Sequence, residues 1–173
     1  MNRRTNARVA GFTFVFYIVA GMASLSMSGR TQVTEVLGVF TSLSALVLGV
    51  TLYALTHEQD PDLALLGLVC RVVEAVSDEV TVAATFFAVG STLFAWLLLR
   101  GRMIPAPIAG FGVVASVLLV VILLVQRAGV FGAAVNWSSS VAWIIWLPML
   151  VFEVALALWL VIRGVAPAAR KQA

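Results

Sequence analysis

Five long apolar runs constrain this chain more than any other feature. Residues 9–29, 36–57, 80–99 and 103–126 contain no Lys, Arg, Asp or Glu, and 128–162 contains only Glu153. A helix needs about 20 mostly apolar residues to cross the hydrocarbon core of a bilayer, and every run reaches that length. The composition agrees. Hydrophobic residues make up 62% of the chain and charged residues 11%, against about 25% charged in a soluble domain. Too few charges remain for an ordinary solvated surface. The fold class expected is therefore all-α, an integral membrane bundle, in one domain over residues 1–173.

Other classes fall away on composition. Cys70 is the only cysteine, so it can form no intrachain disulfide and is no metal site by itself. The single histidine, His57, sits beside Glu58 and Asp60 at the end of an apolar run and reads as an interfacial residue. The net charge of +3 does not imply nucleic acid, because the basic residues lie between apolar runs and form no dense patch. No cofactor is expected.

The number of spans turns on the segment "LALLGLVCRVVEAVSDEV", residues 63–80. Only 15 residues separate Asp62 from Asp78, and Arg71 and Glu74 interrupt them. Charge bias decides the matter, since Lys and Arg in short loops favour the cytoplasmic side. With six spans and the N-terminus inside, eight basic residues lie inside and Arg30 and Arg127 outside, leaving Arg71 in the membrane. With five spans the split becomes five inside against six outside, and the bias vanishes. Six helices are expected, over about 8–28, 35–57, 62–78, 80–100, 104–126 and 141–163. Both termini are then cytoplasmic. The stretch "GVFGAAVNWSSS" reads as a loop before the last helix. The first apolar run, at about 20 residues, is longer than a usual signal-peptide core and reads as an uncleaved helix.

At 100° per residue, Ala64, Gly67, Arg71, Glu74 and Asp78 form one stripe of the third helix. Leu65, Leu66, Val69, Val73 and Val76 form the opposite face. The stripe should face protein or a wet cavity, and its small residues should let a neighbouring helix approach. Arg71 is central in its span, where a charge costs roughly 3 kcal/mol on insertion scales. Two partners are at its depth: Glu74 on the same helix and Glu153 in the middle of the last one. Trp146 shares the Glu153 face, and Pro148 leaves the Ile144 carbonyl without its helical donor. One arginine neutralises only one of two carboxylates. The other must be protonated, reach water or bind a cation. Glu74 is expected to be the spare, lining an outward-open cavity with Asp78 at its mouth. The candidate ligand-binding residues are thus Arg71, Glu74, Glu153, Trp146 and Asp78.

Bland alternatives stand beside each feature. The Arg71–Glu153 pair can be a clamp between helices. Trp137, Trp143 and Trp146 suit an interfacial aromatic belt. Thr81, Thr85, Ser91 and Thr92 commonly bond their own helix backbone or a neighbour. The fifth helix, with Ser116 almost its sole polar residue, is expected to be the most lipid-exposed. "HEQDPD", 57–62, reads as a solvated turn with Pro61 opening the third helix.

Four segments carry a family resemblance: "ARVAGFTFVF" in the first helix, "RVVEA" at 71–75, "RGRMIPAPIAGFG" at 100–112 and "LPMLVFEVALALWLVIRG" at 147–164. Through them the chain resembles the bacterial membrane proteins grouped as the domain of unknown function 4386 family. Its first extracellular loop, "SGRTQVTE", is shorter than is usual there. The resemblance implies a six-helix protein of the bacterial plasma (inner) membrane and brings no established activity, substrate or cofactor.

The chain carries no sequence motif for nucleophilic catalysis, phosphate cradling or metal binding. Three readings remain: a membrane protein that binds a small ligand or a proton at the Arg71/Glu74/Glu153 cluster, a structural or interaction protein, and an intramembrane enzyme with a glutamate as acid/base. The bilayer is the expected partner, and the oligomeric state is open.

Overall fold

The computed structural model describes residues 2–27, 31–129 and 140–166. Trp137, Arg30, Arg170, Lys171 and most of the loop before the last helix lie outside the described residues. Those described form six helices and no strand: α1 (Arg3–Ser26), α2 (Thr31–Thr56), α3 (Pro61–Val76), α4 (Val80–Arg100), α5 (Ala106–Arg127) and α6 (Ser140–Ile162). All but α3 are long and apolar enough to cross a membrane. At 16 residues, α3 is the short one.

Local chemistry sets the breaks between helices. Pro61 occupies the first turn of α3, and the Asp60 side chain accepts the Leu63 N–H at 3.2 Å. These satisfy two of the needs of a helix N-terminus. Glu79 caps α4, accepting from the N–H groups of Thr81 and Val82 at 3.2 and 3.0 Å, and pairs with Arg127 at 3.0 Å. Slight desolvation works to raise its pKa. The hydrogen bonds at Thr81 and Val82 and the Arg127 charge outweigh that and hold the carboxyl below its usual range.

Each helix packs on its sequence neighbours, and α6 closes against α1, so the six form a ring. α2 also touches α4, which places α3 over the seam between them. One end of the ring gathers the N-terminus, the α2–α3 turn, the α4–α5 loop and the C-terminal segment. There Arg3 pairs with Glu58 at 2.6 Å, Arg100 meets Asp60 at 3.5 Å, and the Ala166 N–H donates to the Met103 carbonyl at 2.9 Å. The acidic stretch read as a solvated turn is thus tied to two arginines. Such exposed pairs add little stability, but they hold α1 and α4 against the α2–α3 turn.

The interior is apolar, built around Phe14, Leu48, Phe94, Leu98, Leu119 and Phe152. The outer surface is apolar too, with Phe16, Phe40, Val114, Ile144 and Leu158 all exposed. A soluble monomer rarely exposes apolar area on this scale, whereas lipid suits it. The expectation that the fifth helix is the most lipid-exposed is corrected. α1 has 17% of its most apolar stretch buried against 33% for α5. The reason is a buried stripe on α5 of Ala109, Gly112, Ala115, Ser116, Leu119 and Leu123, whose first four residues are small enough for neighbours to approach. At Gly112 the Phe152 ring of α6 occupies the space a side chain would need.

Candidate functional site

Helix α3 presents Ala64, Gly67, Cys70, Arg71 and Glu74 inward, all buried, while Leu65, Leu66, Val69 and Val76 face outward. Small residues on the neighbours admit the arginine. A Cβ at Gly49 of α2 would lie 2.9 Å from the Arg71 Cβ, and one at Gly90 of α4 would lie 3.1 Å from the Cys70 Cβ. Both helices therefore approach α3 closely at this level.

Arg71 is 1% exposed. Its Nη1 donates to Glu74 Oε2 and its Nη2 to Ser91 Oγ, both at 2.9 Å. The guanidinium carbon stands 4.9 Å from the centroid of the Phe87 ring. Glu74 Oε1 in turn accepts from the Tyr17 hydroxyl at 2.8 Å. Three helices thus converge on one buried ion pair. Charge neutralisation, a hydroxyl acceptor and a ring face together offset the desolvation of the guanidinium.

Glu153 is placed differently. It is 5% exposed, and its Oε1 is buried with no hydrogen-bond partner among the described residues. It is within electrostatic range of Arg71 and Glu74 but makes no ion pair with Arg71 among the described residues. The expected division of roles is therefore reversed: Glu74 is the paired carboxylate, and Glu153 is the spare. The physical reason lies in the ring. Among the described residues α6 packs on α1 and α5 and not on α3, so Arg71 meets the partner one turn along its own helix first.

A cavity of about 480 Å³ lies among α1, α2, α4, α6 and the end of α3. Tyr17, Glu74, Phe87, Trp146 and Glu153 form its inner wall, and Gly21, Gly38, Ser77, Val80 and Trp143 line it toward the end away from the chain termini. Phe87 stacks on Tyr17 with centroids 6.1 Å apart and meets Trp146 at 5.8 Å. Of the five residues singled out from sequence, Glu74, Glu153 and Trp146 line this cavity. Arg71 lies behind the wall. Asp78 does not line it, because α3 stops at Val76, Ser77 turns extended, and the helical stripe ends before Asp78. Ile144, whose carbonyl Pro148 deprives of its helical donor, is not among the lining residues, and its side chain is exposed.

Sequence reasoning missed Tyr17 and Phe87, and left open whether Ser91 bonds its own helix or a neighbour. Thr85 and Thr92 do bond their own helix, at Thr81 O and Ala88 O. Ser91 instead faces α3 and accepts from Arg71. A phenol inside the apolar run of α1 was a usable signal for Tyr17, but nothing in the chain set its register against Glu74.

Apolar helices ringed around a buried ion pair, with an apolar outer face, define a helical membrane protein. The chain belongs to the family described as Domain of unknown function (DUF4386), whose model matches residues 77–164. That stretch holds Phe87, Ser91, Trp146 and Glu153, while Tyr17, Arg71 and Glu74 precede it. No curated protein and no solved structure matches the chain.

Proposed function

We propose that this protein crosses the bacterial plasma membrane six times, with both termini cytoplasmic, and that its cavity binds a small ligand or a proton at Glu153 from the opposite side. Support for six spans comes from α3. Its 16 residues make about 24 Å of helix at 1.5 Å per residue, short of a core of about 30 Å. It nonetheless starts at the end where Arg3 meets Glu58 and leads into the Glu79–Arg127 end. Arg3, Arg4, Arg8, Arg100, Arg102 and Arg163 cluster toward the first of these ends, the cytoplasmic one by the positive-inside rule.

The observation that carries the binding reading is a cavity reaching a buried carboxylate with an unsatisfied oxygen. A lone buried polar group is too costly to keep without a use or a partner. Arg71, Glu74 and Ser91 take the clamp role, since each is already bonded. Thermal unfolding of two variants separates the roles. Glu74→Gln is expected to lower the melting temperature, because the Arg71 charge loses its partner. Glu153→Gln is expected to leave it unchanged or raise it. If Glu153→Gln destabilises as much as Glu74→Gln, Glu153 is part of the clamp and the binding reading is wrong.

A further inference from the structure

We propose that the cavity takes a hydrophobic organic cation, an amine or quaternary ammonium, with Glu153 as counter-charge and Tyr17, Phe87 and Trp146 as aromatic wall. This rests on the reading of the cavity as a binding site and names its ligand class.

Charge is the first argument. Among the described residues that line the space, Glu74 and Glu153 are the only ionisable acids or bases apart from Tyr17, and none is Lys or Arg. Arg71 stands behind the wall with both terminal nitrogens bonded. Glu74 is engaged at both oxygens, by Arg71 and by Tyr17. Glu153 has an open one. An anion would meet uncompensated carboxylate, whereas a cation would complete it.

The wall narrows the class. Ca²⁺ wants about six to eight oxygen ligands and Zn²⁺ about four ligands, and no group of three His, Cys, Asp or Glu able to hold a metal occurs among the described residues. The hydroxyl of Thr41, which also lines the space, is bonded to its own helix at Leu37 O. Besides the hydroxyls of Ser24, Ser42 and Ser77, the lining offers aromatic faces, and these attract organic cations, Trp most strongly. Phe87 already carries the Arg71 guanidinium against its ring. A volume of about 480 Å³ falls within the roughly 300–1,000 Å³ of small-molecule pockets.

The test uses the full chain in nanodiscs of zwitterionic lipid, titrated with tetraphenylphosphonium and, separately, with tetraphenylborate, its anion of like shape. Tryptophan fluorescence reports occupancy. Saturable binding of the cation and none of the anion is expected. Glu153→Gln should weaken it by at least about tenfold, as loss of one partner of a buried charge pair does. Gly21→Leu provides a second variant that does not touch the charge. A Cβ at Gly21 meets nothing within 4 Å, and the residue lines the cavity, so leucine fills the space and should abolish binding in a folded protein. Equal binding of both ions, or cation binding indifferent to Glu153→Gln and Gly21→Leu, overturns the proposal. If neither ion binds saturably while the cavity is reached by water-soluble reagents, the ligand class is wrong and the cavity reading stands. If the cavity is not reached either, both fail.

Discussion

Arg71→Ala is expected to be among the most damaging single substitutions in this protein, with a loss of about 3–5 kcal/mol, the usual cost of removing one partner of a buried ion pair. Glu74 would remain buried with only the Tyr17 hydroxyl, and Ser91 Oγ would lose its donor. Detergent-solubilised protein should melt far below the parent, or elute as aggregate. Pairing the change with its partner, as Arg71→Met with Glu74→Gln, should restore much of the loss, because glutamine still accepts from Tyr17 and no charge is stranded. Combining Arg71→Met with Glu153→Leu should not. A rescue by the Glu153 combination and not by the Glu74 one would mean that the ion pair has been assigned to the wrong helix.

Gly11→Leu should part the seam that closes the ring. A Cβ at Gly11 would lie 2.7 Å from Val161 Cγ2 and 2.9 Å from both Ala157 O and Val161 N. Two of those atoms are backbone of α6 and cannot swing aside, so α1 and α6 must separate. Overpacking costs about 1–3 kcal/mol, occasionally more, and contact with backbone puts this site at the upper end. Gly21→Leu, on the same helix but facing open space, should leave stability unchanged or slightly raised, since glycine is a poor helix former. Thermal melts of the two variants side by side check the contrast. A Gly11→Leu protein that melts with the parent would show that the α1–α6 contact is looser than described.

Much of the fold was legible because lipid enforces a simple rule. Uncharged runs of about 20 residues have few alternatives to helix, and all six expected helices form. The stripe on α3 was legible for the same reason: helical geometry alone puts Gly67, Arg71 and Glu74 on one face. Failures came where two helices must be placed against each other. The 3.6-residue period says which face of α6 bears Glu153, but not that α6 sits across the ring from α3. Hence Glu153 looked like a partner for Arg71 and proved to be the spare. Tyr17, and the partner that Ser91 bonds, were missed for that reason too. Their bonds to Glu74 and Arg71 span 57 and 20 residues, and no local pattern encodes them. Asp78 was misplaced for a different reason, since the stripe was extended beyond the point where Ser77 leaves helical geometry.

Cysteine accessibility at Glu153 tests the central claim most directly. Cys70 is the only native cysteine and is buried, so Cys70→Ala provides a background without thiols. Into it go Glu153→Cys and, as a control on the same helix, Leu156→Cys at a fully packed position. Intact cells are treated with a small membrane-impermeant thiol reagent. The account predicts that Glu153→Cys is modified from the outer side and Leu156→Cys is not. Glu153→Cys unmodified in a folded protein, or modified only when the cytoplasmic side is exposed, would contradict it.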